Sequence, residues 1–206
     1  MNGRGVISTL DVILHWITRL VVVNLLWICY SLAGLLIFGI FPATAAVFGI
    51  TRKWLMGDYE VSIWKTFKKI YWQDFIPANI IGWIISILGG VLYLNFRIIS
   101  GAEGELSIVV PFAFYVLLFF YAITLIWCFP LLAHYKGTCL QHLKNAFIIG
   151  FVKIHYTLTS GLILCAIIYF SLEFPGIIPF FTVSLTAVCW MWFALQIFAK
   201  VDHRMS

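Results

Sequence analysis

Few residues in this chain have the types and spacing that chemistry needs. His134, His142 and His155 stand eight and thirteen residues apart. That spacing specifies no metal site, so they read as solvated or interfacial side chains near one face of the molecule. Cys29, Cys128, Cys139, Cys165 and Cys189 form no CxxC and no Cys–His pair at zinc spacing. They read as small apolar residues, not as a disulfide framework. No P-loop, HExxH or GxSxG motif is present. Asp11, His15 and Arg19 recur at i, i+4 and i+8, which is one stripe of a helix. Such a stripe lines either a polar partner surface or the solvated face of an interfacial helix, and the second is the ordinary case. Without converging acids, bases or nucleophiles, the expectation is a protein that is not an enzyme and holds no cofactor and no metal.

The elements that carry these residues belong in a membrane. Hydrophobic residues make up 63% of the 206 and charged residues only 10%, with a mean hydropathy of +1.04. A soluble domain carries roughly a quarter charged residues. The net charge of +5 therefore concerns lipid headgroups and topology rather than nucleic acid, which is not an expected partner. A helix needs about 20 apolar residues to cross the hydrocarbon core. Five runs meet that need, at 20–41, 75–96, 106–133, 154–172 and 174–199. They are continuous, not alternating, which excludes an outer-membrane barrel. The expected fold is a single all-α membrane domain over 1–206, a bundle of five transmembrane helices with amphipathic interfacial helices.

Five crossings place the termini on opposite sides. On that count Arg4, Arg19 and Arg97 share one side, and all other Lys and Arg residues share the other. Lys and Arg gather in cytoplasmic loops, so the N-terminus is expected outside the cell membrane and the C-terminus in the cytoplasm. Residues 6–19 read as an amphipathic helix on the outer leaflet. The cytoplasmic helices are expected at 43–56, 60–74 and 137–153. Pro42 suits the first turn of a new helix, where a missing N–H costs nothing, and Gly57-Asp58 reads as its break. On the 60–74 helix, Ile63, Trp64, Phe67, Ile70 and Tyr71 form one face and Lys65, Lys68 and Lys69 the other. Phe129-Pro130 at the end of the third run echoes Phe41-Pro42 at the end of the first, so Phe-Pro reads either as the trace of an internal repeat or simply as a helix exit. Asn24 and Asn79 are candidate intramembrane polar contacts between helices.

Asn24-Leu25-Leu26-Trp27, then Gly39-Ile40-Phe41-Pro42-Ala43-Thr44-Ala45-Ala46, then Arg52-Lys53-Trp54 resemble the signature of the YesL-like membrane proteins. These form the domain of unknown function 624 family of Gram-positive bacteria. Phe67, Phe75, Asn79, Gly82 and Phe129-Pro130 fit the same pattern, and the resemblance covers nearly the whole chain. It implies a small polytopic protein, often encoded beside carbohydrate ABC importers and polysaccharide-degrading enzymes. Ala43, Ala45 and Ala46 would let one helix pass close to another backbone, and Arg52 and Lys53 would pin it to the cytoplasmic face. The block Gly39, Phe41, Pro42, Ala43, Thr44, Ala45, Arg52, Lys53, with Phe129 and Pro130, is thus either a topology anchor or a docking surface. The expected function is a non-enzymatic accessory or regulatory subunit that binds ABC importer permease subunits within the lipid bilayer. The alternatives are a permease-like subunit and a stand-alone carrier for a neutral solute.

Overall fold

The structure is a computed structural model that describes residues 3–101 and 108–205, with side chains described for 10–101 and 108–200. The helices are α1 (Gly3–Ala33), α2 (Ile40–Leu55), α3 (Ile63–Gln73), α4 (Phe75–Ser100), α5 (Val109–His134), α6 (Cys139–Val152), α7 (Ile154–Glu173) and α8 (Val183–Met205). A 3₁₀ turn at Pro175–Ile177 and a π turn at Ile178–Thr182 lead into α8. There is no strand among the described residues. Among the described residues, five segments are long and apolar enough to cross a membrane: Leu10–Ala33, Phe75–Ser100, Val109–His134, Ile154–Glu173 and Pro175–Lys200. The protein is an all-α, multi-pass membrane bundle.

The largest departure from the sequence reading lies in the first span. The apolar run at 20–41 is not one helix. α1 begins at Gly3, absorbs the segment read as a separate helix at 6–19, and stops at Ala33. The chain turns through 34–39, and Phe41-Pro42 opens α2 instead of closing α1. In the turn, Leu35 and Leu36 adopt φ of 55° and 62°. That left-handed region costs an ordinary residue about 1–2 kcal/mol. Hydropathy detects the apolar side chains of this turn and misses its backbone.

The turn reverses the chain. Trp27 Nε1 donates to Thr44 Oγ1 at 3.0 Å, and the Trp16 and Trp54 rings meet edge-on at 5.8 Å. α1 and α2 are therefore antiparallel. Gly34 and Gly39 make the reversal tight: a Cβ on Gly39 would run into the Tyr30 and Ser31 carbonyls, and one on Gly34 into the Gly39 backbone. α2 becomes the centre of the molecule, packed by α1, α3, α4, α5 and α8. Ala43, Ala45, Ala46, Val47 and Ile50 are fully buried. Pro42 is tolerated there because the first-turn N–H has no intrahelical partner to lose.

α2 ends as its sequence predicts. Gly57 takes φ of 94°, its N–H bonds to the Trp54 carbonyl, and the Asp58 N–H reaches back to the Lys53 carbonyl. This is a Schellman cap. α3 then lays Phe67 and Tyr71 against Tyr30, with ring centroids 5.1 and 4.8 Å away, and leaves Lys65, Lys68 and Lys69 exposed. α4 and α5 form one antiparallel hairpin, with Phe96 facing Phe114 near its tip. α7 and α8 form the other, joined through 174–182. Pro130 is buried inside α5, which continues to His134. Phe-Pro therefore opens a helix at 41–42 and lies within one at 129–130, so the two do not mark equivalent helix exits.

Because α1 and α2 reverse, Arg19 and Arg52 come to the same face. Arg19 Nη2 donates to the Tyr59 carbonyl at 2.8 Å, Arg52 Nε to His134 Nδ1 at 3.0 Å, and Lys200 Nζ to Tyr156 Oη at 3.2 Å. The His134 ring lies 4.8 Å from that of Phe198. The start of the α1 apolar stretch, the ends of α2, α5 and α8, and the start of α7 thus share one basic face. Arg97 is different, lying in the last turn of α4 by the α4–α5 tip. Arg19 and Arg52, assigned to different faces by the sequence reading, thus lie on one face of the bundle.

Candidate functional site

The basic face encloses a cavity of about 460 Å³ where α2, α3, α5 and α6 meet. Each wall follows from local sequence. Arg52 and Lys53 stand in the last turn of α2. Lys69 and Gln73 come from the polar side of α3, and Asp74 from the α3–α4 junction. His134 closes α5, and Lys136 and Gly137 follow it. His142 enters from α6, whose start is set by a capping box: Gln141 N donates to Thr138 Oγ1 at 3.3 Å, and Thr138 N donates to Gln141 Oε1 at 2.9 Å.

The electrostatics are lopsided. Arg52, Lys53, Lys69 and Lys136 line the cavity, against Asp74 alone among the carboxylates of the described residues. Arg52 is half-buried and donates to neutral acceptors, His134 Nδ1 at 3.0 Å and the Ala133 carbonyl at 3.4 Å. Lys53 is drawn aside by Asp58, at 3.7 Å the one salt bridge among the described residues. Burial holds His142 below the ordinary histidine value, a backbone hydrogen bond at Gly137 pulling the other way. Burial raises the Asp74 carboxyl above its ordinary value. An acid whose folded pKa is raised takes up a proton on folding, so it lowers stability as pH climbs from the unfolded value through the folded one. Asp74→Asn is therefore expected to flatten the fall in melting temperature on the alkaline side of pH 4, measured in detergent from pH 3.5 upward, without loss of stability at neutral pH.

The residues singled out from sequence divide between this cavity and the core. Arg52 and Lys53 line it. Gly39 and Thr44 hold the α1–α2 crossing: Thr44 accepts from Trp27 and donates to the Ile40 carbonyl at 2.7 Å. The Phe41 ring lies on Gly82, where any Cβ would fall inside it, and meets Trp83 edge-on at 5.9 Å. Pro42, Ala43 and Ala45 are sealed in the core, and Phe129 stacks on Phe48 at 6.4 Å. These residues are packing, not an exposed docking surface. Asn79 donates to the Phe38 carbonyl at 3.0 Å and the Phe75 carbonyl at 2.8 Å, tying the 34–39 turn to α4.

Asn24 makes four contacts. Its Nδ2 donates to the Ile178 and Pro179 carbonyls at 3.2 and 2.7 Å. Its Oδ1 accepts from Val183 N and Ser184 N at 2.9 and 3.1 Å. Pro179 and the π turn break the regular ladder at the entrance to α8, and one amide stands in for the missing turn. His134 and His142 were visible as residues. Their convergence with Lys69 and Lys136 was not, because it depends on how α3 and α6 pack.

Residues 20–96 match the family model described as "Protein of unknown function, DUF624". The chain is 34% identical over 190 residues to uncharacterized protein YteU of Bacillus subtilis (strain 168), covering 92% of this chain and 85% of that protein. It is 32% identical to uncharacterized protein YesV of the same organism, covering 91% and 90%. With uncharacterized protein YesL, also of that organism, identity is 26% over 93% and 90%. No solved structure matches.

Proposed function

Because the chain belongs to the YesL-like, DUF624 family of membrane proteins, we propose that it is a non-catalytic accessory or regulatory subunit of a carbohydrate ABC importer. It engages the permease within the bilayer and presents its basic face to the cytoplasm. The observation that supports this reading most is the gathering of Arg19, Arg52, Lys53, Lys69, Lys136 and Lys200 on one face, around a core helix that its neighbours bury. Lys and Arg mark the cytoplasmic side, so both termini lie there, in the cell membrane. An importer's soluble subunits work on that same side, within reach of this face.

Tagged full-length protein, extracted from native membranes in mild detergent, is expected to carry permease subunits with it in mass spectrometry. Recovery of the protein alone after crosslinking in cells contradicts the proposal. A second reading, a carrier for a neutral solute, is favoured by a cavity of about 610 Å³ between α4 and α5, lined by Leu88, Asn95, Phe114, Tyr121 and Thr124. Solute flux into liposomes holding only this protein supports that reading over the first.

A further inference from the structure

Among the described residues, the cavity on the basic face carries more positive than negative charge. Four cations line it. Asp74 offsets one and Asp58, from outside the cavity, offsets Lys53. Among the described residues, two positive charges remain. Arg52 is held by an imidazole nitrogen and a carbonyl, which fix its guanidinium but leave its charge unmatched. A partly buried cation without an anionic partner is costly, and it is kept where a ligand supplies the partner. Lys69 and Lys136 are exposed at the rim and take no part in a salt bridge among the described residues.

The arrangement matches one class of anion. A guanidinium fork reads phosphate oxygens in pairs, and lysines add point charges around it. A phosphate monoester carries a charge of about −1.5 to −2 at neutral pH, which balances the surplus. The volume, about 460 Å³, lies in the range of small-ligand sites, roughly 300–1,000 Å³. We propose that this cavity binds a phosphate monoester, with Arg52 as the fork, Lys69 and Lys136 as the closing charges, and Asp74 as the group that keeps affinity moderate. A lipid with a terminal phosphate and a soluble phosphorylated metabolite share this chemistry. The proposal stands apart from the importer reading, since either can fail alone.

The test uses the full chain. In uncharged detergent, inorganic phosphate is titrated against chloride at matched ionic strength while the melting temperature is followed. In lipid nanodiscs, phosphatidylcholine alone is compared with phosphatidylcholine containing phosphatidate. A saturable rise with inorganic phosphate supports a soluble ligand; a rise with phosphatidate only supports a lipid. In whichever arm responds, Lys69→Gln and Lys136→Gln, both at exposed positions, should each weaken the midpoint about tenfold. Arg52→Lys should weaken it although it keeps the charge, and Asp74→Asn should tighten it. No response in either arm overturns the proposal. So does a response that the Lys69→Gln, Lys136→Gln double variant leaves unchanged, which would mark general ionic screening.

Discussion

Replacing Asn24 by Leu is expected to remove roughly 3 kcal/mol of stability, the cost of leaving buried backbone groups unpaired. The size follows from what the amide replaces. A hydrogen bond between membrane helices averages only about 0.6 kcal/mol, because the separated helices find other partners. The groups on Asn24 are different: they are the carbonyls and N–H groups of a broken turn, Ile178, Pro179, Val183 and Ser184. At 1% exposure for Asn24, water does not replace it. Leu is close in size, so the loss is polar and not a cavity. Unfolding of the detergent-solubilised chain measures it, with Thr18→Val as the comparison. Thr18 is exposed and bonds only within its own helix, to the Leu14 carbonyl, so that change should fall within about 0.5 kcal/mol. Equal losses from both would mean that Asn24 does not organise the entrance to α8.

Gly39→Ala carries the other large effect. A Cβ on Gly39 meets backbone, the Tyr30 and Ser31 carbonyls and the Ser31 Cα, not the end of a flexible side chain. α1 must then move away from α2. That pulls at the Trp27–Thr44 hydrogen bond and at the buried alanine surface beyond it. Overpacking of this kind costs about 1–3 kcal/mol where side chains can yield, and the backbone here cannot, so the upper end or more is expected. Gly90→Ala is the control, since a Cβ there meets nothing within 4 Å and alanine improves helix propensity by about 1 kcal/mol. Thermal melts in detergent should separate the two in opposite directions. A neutral Gly39→Ala would show that the 34–39 reversal is not close-packed.

Those two sites show where sequence reading reached and where it stopped. α4, α5, α7 and α8 were legible because each is a long apolar run, and hydropathy measures that directly. The end of α2 was legible because Gly57 supplies a conformation that few other residues adopt. The 34–39 reversal was not, since Leu35 and Leu36 carry the left-handed turn with the side chains of a membrane span. The local signal was the pair Gly34 and Gly39, with Pro42 just inside the following helix. Without that turn, Arg19 and Arg52 read as belonging to different faces. The cavity is half legible in the sequence, where Arg52, Lys53, His134 and His142 stand out by residue type. Lys69 and Lys136 join them only through the packing of α3 and α6 on α2 and α5.

The account rests on α1 and α2 leaving one face and returning to it. Cysteines placed singly at Asp11, Lys136 and Gly176, in a chain whose native cysteines are replaced, report this through an impermeant maleimide. All three positions are exposed, and Gly176 lies at the tip of the α7–α8 hairpin. The account predicts that Asp11→Cys and Lys136→Cys label only after the cells are opened, while Gly176→Cys labels in intact cells. Labelling of Asp11→Cys together with Gly176→Cys in intact cells would contradict it.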